Sequence, residues 1–217
     1  MKKLIFASHN PHKVTEIKEL FKQNPVLKTS FSVVGLSEIG FLNEIPETAS
    51  TLQGNAFLKA HAIYEKFQSD CFADDTGLEV AALNNTPGVY SARYANMPDD
   101  FEQSGRASPL SLEQADPTFQ QNIDRLLNKL QKVKPKDRTA RFRTVVCLIL
   151  KGETYYFEGV LQGEILSQRQ GGNGFGYDPI FRPKGYQETL AELSIDEKNK
   201  ISHRGQAIAK LTSFLCV

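Results

Sequence analysis

Four short stretches of the chain concentrate side chains suited to phosphate, metal or a planar base. Asp74 and Asp75 stand side by side at the end of an apolar run. Adjacent carboxylates repel, and a hard cation such as magnesium relieves that repulsion through oxygen ligands. The same pair also suits a turn in which one aspartate caps nearby N–H groups. Upstream, the acidic loop 43–48 offers Glu44 or Glu47 as a second metal ligand, and both also fit a solvated loop. Ser8-His9-Asn10-Pro11-His12-Lys13 leaves one apolar run and enters a helical pattern. Free backbone N–H groups at a helix start attract phosphate, and Lys13 adds a point charge one turn in. A plain strand-to-helix turn has the same appearance, and there is no Walker pattern here.

The other two stretches lie in the C-terminal third. Residues 171–179 read Gly-Gly-Asn-Gly-Phe-Gly-Tyr-Asp-Pro. Their glycines allow close backbone approach to a ligand, and Phe175 and Tyr177 offer stacking faces for a base. A hairpin loop with its aromatics tucked into the core is the alternative. Lys198-Asn199-Lys200-Ile201-Ser202-His203-Arg204 crowds cations at a helix start. The helix macrodipole disfavours them there, which points to a bound anion over a solvated basic turn.

The elements that must position these groups follow from apolar periodicity. Residues 4–7 read as a buried strand, and 12–23 as a helix with Val14, Ile17, Leu20 and Phe21 at helical spacing. Residues 31–34 form a second strand. A helix over 51–67 follows, with Phe57, Ala60, Ile63, Tyr64 and Phe67 near one face. Residues 70–80 read as strand, tight turn at Asp74-Asp75-Thr76-Gly77, then strand. The stretch 96–117, with three prolines and several serines, reads as an exposed and flexible excursion. Asp116-Pro117 starts a helix whose stripe is Phe119, Ile123, Leu126, Leu127 and Leu130. Residues 139–150 and 154–166 form an antiparallel hairpin, and a last helix starts at Ser202 as N-cap. Both strand types occur, so the expected fold is a single α/β domain over 1–217, a mixed sheet flanked by helices.

Bulk composition excludes several classes. The chain has 217 residues, with 26 basic against 25 acidic side chains and a formal charge of +1. That balance argues against a polyanion-binding surface, so no nucleic-acid partner is expected. Cys71, Cys147 and Cys216 form no C-x-x-C pair and no zinc spacing, and they suit a reducing cytoplasm. Cys71 and Cys147 sit in apolar runs and read as buried small hydrophobes. Residues 4–7 are too short for a secretory core, and no stretch could span a membrane.

Six segments together resemble the inosine/xanthosine triphosphate pyrophosphatases. Ser8-His9-Asn10-Pro11-His12-Lys13 resembles that family's [ST]-x-N-x-x-K opening, and Asn55-Ala56-Phe57-Leu58-Lys59-Ala60 its N-A-x-x-K-A helix. Ala73-Asp74-Asp75-Thr76-Gly77-Leu78 is similar to A-D-D-[ST]-G-L, and Pro87-Gly88-Val89-Tyr90-Ser91-Ala92-Arg93-Tyr94-Ala95 to P-G-x-Y-S-A-R-Y-A. Gly174-Phe175-Gly176-Tyr177-Asp178-Pro179 and Ser202-His203-Arg204-Gly205-Gln206-Ala207 complete the set, in the family's order. Two positions depart from the pattern. Gly54 stands where an acid usually precedes Asn55-Ala56, and Ala49 where a glycine usually follows Glu47-Thr48.

The resemblance implies an elongated mixed-sheet α/β fold with two lobes and an active-site cleft between them. It also implies a homodimer and magnesium-dependent cleavage of ITP, dITP and XTP to monophosphate and pyrophosphate. It makes Asp75 the general base and a metal ligand, with Glu47 the other metal ligand. Ser8, Asn10, Lys13 and Lys59 should hold phosphates, and His9 and Gly176 join the substrate-binding residues. Thr76 lies beside the metal, and Phe175 stacks on the purine. Tyr177, Asp178, Lys198, His203 and Arg204 surround the base and nearby phosphate. A related enzyme acting on modified pyrimidines is disfavoured by the Phe175-to-Asp178 loop and Ser202-His203-Arg204. A module that binds nucleotide without cleaving it is disfavoured by Asp74-Asp75 with Lys13.

Overall fold

The computed structural model of the chain describes residues 1–104, 107 and 115–216. Its sheet is mixed, with strand order β2-β1-β3-β5-β6-β7 and β4 pairing with β3. The strands are β1 (Lys2–Phe6), β2 (Phe31–Gly35), β3 (Cys71–Val80), β4 (Thr86–Gly88), β5 (Thr139–Leu150), β6 (Glu153–Ile165) and β7 (Phe181–Pro183). β1 runs parallel to β2 and to β3, whereas β3–β4 and β6–β7 are antiparallel. The described helices are α1 (Pro11–Gln23), α2 (Pro25–Ser30), α3 (Leu52–Phe67), α4 (Phe101–Ser104), α5 (Phe119–Lys129), α6 (Ile195–Ile201) and α7 (His203–Leu215).

The chain divides into two compact units. The first comprises 1–75, 144–160 and 199–217, the second 76–143 and 161–198. In the first unit the two-residue period of the strands sorts the core into two clusters. Leu4, Phe6, Phe72, Val146 and Leu148 pack with Ile17 and Phe21 of α1 and Ile208 and Leu211 of α7. Their neighbours Ile5, Ala7, Cys71, Ala73, Cys147 and Ile149 pack with Ala56, Ala60 and Ile63 of α3. Burial pushes the Cys71 and Cys147 thiols up to about 12, so both stay protonated core groups. β5 and β6 join through Lys151 and Gly152, both at positive φ, as a two-residue hairpin turn requires. Gly159 lies so close to the His203 carbonyl that any side chain there would collide with the start of α7.

The second unit buries Tyr94 and Phe101 together with Ile123 and Leu126 of α5, and the Phe142 and Phe181 rings meet at a tilt of 49° with centroids 4.6 Å apart.

Several sequence expectations are corrected. Asp74-Asp75-Thr76-Gly77 makes no turn: β3 runs unbroken from Cys71 to Val80, because its carboxylates find cationic partners and need not reach solvent. α5 starts after Thr118, not at Asp116-Pro117. Thr118 accepts from the Gln121 N–H while the Gln121 side chain accepts from the Thr118 N–H, a reciprocal capping box. The periodicity missed α2, which Asn24 caps by accepting from Val26 and Leu27 N–H. Of the excursion expected over 96–117, residues 105–106 and 108–114 lie outside the described residues. Its described part includes α4, where Phe101 and Glu102 are buried, so that portion is core.

Candidate active site

Asp74 and Asp75 are successive residues of a strand, so their side chains leave opposite faces of the sheet. Each is hydrogen-bonded to different cations. Asp74 turns to the α1/α7 face. Its Oδ1 accepts from Lys13 Nζ at 2.9 Å and its Oδ2 from Arg204 Nε at 3.0 Å. Burial alone would raise its pKa, but the two cations outweigh it and hold the carboxyl well below the usual range. Arg204 donates in addition from Nη1 to Glu16 Oε2 at 2.6 Å, with both side chains buried.

Asp75 turns to the α3 face. Its Oδ1 accepts from Lys59 Nζ at 3.2 Å and its Oδ2 from Asn55 Nδ2 at 3.2 Å. The Lys59 ammonium also contacts Glu47 Oε1, so carboxylates from a loop and a strand meet on one point. Burial lowers the Lys59 pKa, but Asp75 and Glu47 overcome this and raise it well above its ordinary value. Asp75 is pushed up by burial first and then by the charges of Glu47 and Asp74, against the pull of Lys59. Asn55 Oδ1 accepts from the Ala49 N–H at 2.9 Å, which ties the Glu47 loop to the helix that faces Asp75. Of the two upstream acids, Glu47 therefore reaches the site, whereas Glu44 is exposed.

Ala49 and Gly54, the two departures from the family pattern, face each other. A Cβ on Gly54 would come 2.5 Å from the Ala49 Cβ. Gly54 is the N3 residue of α3, and its N–H donates to the capping Thr51 hydroxyl at 3.0 Å.

At the start of α1, Asn10 Oδ1 accepts from the His12 and Lys13 N–H groups, and Ser8 Oγ accepts from Asn10 N–H. These hydrogen bonds fix the loop at the head of α1. His9 lies in contact with the Asn43 carbonyl at 3.0 Å and stacks on Phe41. Ser202 caps α7 by accepting from Gly205 N–H, which buries His203 in the first turn.

The second unit holds the remaining candidates. Asp178 Oδ2 accepts from Phe175 N–H and from Lys198 Nζ, each at 2.8 Å, and Lys198 Nζ stands 4.8 Å above the Phe175 ring. Phe119 packs beside Phe175 at 6.1 Å. Gly174, at φ +76°, leaves the Asp178 carboxylate the space a side chain would fill. Gly176 sits at φ +61°. Tyr177 is buried, and its hydroxyl donates to the Ser91 carbonyl at 2.8 Å. Lys198 lies on α6, a helix not expected from the sequence. Thr76 follows Asp75 on β3, half-buried.

The structure therefore brings Lys13, Glu47, Lys59, Asp75 and Arg204 together in the first unit, and Phe175, Tyr177, Asp178 and Lys198 in the second. Arg204, grouped with the base-contacting residues by resemblance, bonds to Asp74 and Glu16. Three residues outside the expected set take part. Glu16 was visible as an acid one turn beyond Lys13, beside Ile17 on the buried face of α1. Asn55 was visible only as part of a motif, and Ser91 carried no ionisable group to mark it.

Glu47 and Asp75 supply hard carboxylate oxygens from two segments to one cation-holding point. Lys13, Lys59 and Arg204 face four carboxylates: Glu16, Glu47, Asp74 and Asp75. The carboxylate oxygens of Glu47 and Asp75, which meet on Lys59, are of the kind a hard cation takes.

Comparison with known proteins extends over nearly the whole chain. The model of the Ham1 family matches residues 4–214. The chain is 45% identical over 215 residues to a dITP/XTP pyrophosphatase of Porphyromonas gingivalis, covering 99% of this chain and 98% of that one. Among solved structures, a HAM1 protein from Coxiella burnetii superposes with a TM-score of 0.80 at 35% identity, over 100% of this chain and 99% of that one. The Staphylococcus aureus Ham1 protein gives a TM-score of 0.77 at 38% identity, covering 99% and 98%.

Proposed function

The chain belongs to the Ham1 family, and from that premise we propose that it hydrolyses non-standard purine nucleoside triphosphates, namely ITP, dITP and XTP, to monophosphate and pyrophosphate. The observation that carries this reading is the meeting of Glu47 and Asp75 on Lys59. A triphosphate brings several negative charges, and its cleavage is mainly positioning and charge neutralisation. Glu47 and Asp75 are the residues that would hold magnesium. Bound there, magnesium supplies Lewis acidity that lowers the pKa of water and neutralises phosphate oxygens.

The chain's own residues supply the rest. Lys13 and Lys59 offer ammonium groups to the phosphates, with Ser8, His9 and Asn10 at the head of α1. Asp74 keeps Lys13 in place, and Arg204 with Glu16 keeps Asp74 in place. Asp75, a carboxylate on β3 beside Lys59, takes the proton of the attacking water. The water oxygen bonds to the α-phosphorus, the bond from that phosphorus to the bridging oxygen breaks, and pyrophosphate leaves with the bridging oxygen. Phe175 offers its ring to the purine, with Gly176, Asp178 and Lys198 of the same unit in the recognition set, and His203 joins the substrate-binding residues by family resemblance.

On this reading residues 1–217 work as one pyrophosphatase domain, which the family match over 4–214 supports. The reading also carries a homodimer, by family resemblance, and a cytoplasmic setting, in which the free thiols Cys71, Cys147 and Cys216 persist. Among the described residues, no helix is long and apolar enough to cross a membrane.

The test is a panel of nucleoside triphosphates incubated with magnesium, with both products identified. ITP and XTP should yield monophosphate and pyrophosphate, and oxygen-18 from water should appear in the monophosphate. Release of diphosphate and orthophosphate would place the attack at the γ-phosphorus and overturn the reading.

A further inference from the structure

We propose that Ser91 and Tyr177 are a positioning pair that holds the 171–178 loop in the shape that presents Phe175 and Asp178 to the purine, a proposal that rests on the pyrophosphatase reading. The motif around Ser91 contributes no charged group to the site, yet its short helical turn (Ser91–Asn96) is fixed from three sides. The Ser91 hydroxyl accepts from Leu78 N–H at 2.8 Å and donates to the Gly88 carbonyl at 2.6 Å. It thereby clamps β3 to β4 where Gly77 meets Gly88: a Cβ on Gly77 would stand 2.5 Å from the Gly88 oxygen. From α5, buried Asn122 accepts from Ala95 N–H at 2.7 Å and donates to the Ala92 carbonyl at 2.8 Å. The Ser91 carbonyl is left as a fixed acceptor, and it receives the Tyr177 hydroxyl at 2.8 Å.

Tyr177 is the residue before Asp178, and Asp178 accepts from both Phe175 N–H and Lys198 Nζ. The positive φ of Gly174 and Gly176 makes the loop around Phe175 intrinsically permissive, so an anchor at Tyr177 has a conformational choice to remove. Tyr177 is only 5% exposed and its oxygen is already bonded inward, which suits a strut and not a contact to the base.

The test uses Tyr177→Phe, which keeps the ring and deletes the O–H, with Ser91→Ala as the second variant. Ile208→Val, a core change in the other unit, controls for general destabilisation. Backbone amide exchange of the 171–178 segment, measured without nucleotide, should speed up by roughly tenfold in both variants, the scale of one buried hydrogen bond. The control should leave that segment unchanged. KM for ITP should rise by a similar factor while kcat stays within about twofold, because the loop binds and does not react. Unchanged exchange in Tyr177→Phe overturns the proposal. So does a rise in KM without faster exchange, which would make Tyr177 a direct base contact. The exchange measurement needs no turnover, so a chain that releases no pyrophosphate would refute the activity and leave this result to stand or fall alone.

Discussion

Arg204 donates from Nε to Asp74 at 3.0 Å and from Nη1 to Glu16 at 2.6 Å, so one guanidinium joins α7 to β3 and α1. All three side chains are buried, Arg204 at 2% exposure. Removing the cation would take one charged partner from each of two buried carboxylates, Asp74 keeping Lys13. Arg204→Ala should therefore cost about 3–5 kcal/mol of stability, the usual penalty for breaking a buried pair from one side. Arg204→Lys should recover little, since a single ammonium cannot reproduce a planar two-way fork. Denaturant unfolding of both variants checks this, and a loss below about 1 kcal/mol would show that the pairing is dispensable.

Asp75→Asn should separate chemistry from folding. The amide keeps the size of the side chain and still accepts from Lys59 through its oxygen, though its NH2 no longer accepts from Asn55, and it removes the proposed proton acceptor and one charge of the proposed metal site. Turnover should fall by on the order of four decades, the scale of a carboxylate-to-amide change at a catalytic unit. The melting temperature should stay within a few degrees. Near-normal pyrophosphate release from this variant would remove Asp75 from the role of base.

The contact between Ala49 and Gly54 predicts coupled substitutions. At the N3 position of α3 a glutamate would complete a capping box with Thr51, and replacing glycine in a helix is worth about 1 kcal/mol. The Ala49 methyl blocks it, since a Cβ at position 54 would sit 2.5 Å away. Gly54→Glu alone should destabilise the protein, and Gly54→Glu with Ala49→Gly should equal or exceed the parent. A double-mutant cycle on unfolding free energies should give a coupling above about 1 kcal/mol. Additive values would mean that the loop yields freely.

Glu102 provides the pH prediction. Burial would raise its pKa, but the Tyr94 hydroxyl, Lys129 and Arg125 outweigh this and lower it below the ordinary value. A carboxyl depressed in the folded state stabilises above the unfolded pKa of about 4.3, and that contribution fades as pH falls through the folded value. The stability difference between the parent and Glu102→Gln should thus be largest near neutral pH and shrink below about pH 4. A difference that stays flat from pH 7 to 3 would show that the carboxylate charge contributes nothing.

Legibility of the fold tracked apolar periodicity. Residues 51–67 and the hairpin at Lys151-Gly152 were readable because the pattern and the turn chemistry agree there. Asp74-Asp75-Thr76-Gly77 was misread as a turn because charge and glycine mark turns locally. What keeps it a strand is Lys13, Lys59 and Arg204, which come from three helices far apart in sequence. The charged members of the site were legible as residue types. Ser91 was not, and the role of Glu16 was not, since their importance lies in whom they touch. Arg204 shows the same limit, because its position in a motif does not reveal that its fork is committed to Asp74 and Glu16.

Base choice follows from hydrogen-bond polarity. Inosine and xanthosine present an acceptor at C6 and a protonated N1, whereas adenosine presents a donor at C6 and a bare N1. The proposed recognition set offers donors: the Lys198 ammonium, held by Asp178, and backbone N–H groups of the glycine-rich loop. A donor aimed at O6 would face an amino group in ATP, and a buried donor left unmatched costs about 1–3 kcal/mol. A site built around such a bond can reject the wrong analogue by about four decades. GTP keeps O6 and adds a 2-amino group, so its rejection depends on the fit at C2, and it should fall between ITP and ATP or alongside ATP. The measurement is kcat/KM for ITP, XTP, GTP and ATP under one magnesium concentration. ITP and XTP should exceed ATP by at least about two decades, and Lys198→Met should narrow that gap by depressing ITP far more than ATP. Equal values for ITP and ATP in the parent would sink the substrate assignment even if pyrophosphate release were intact.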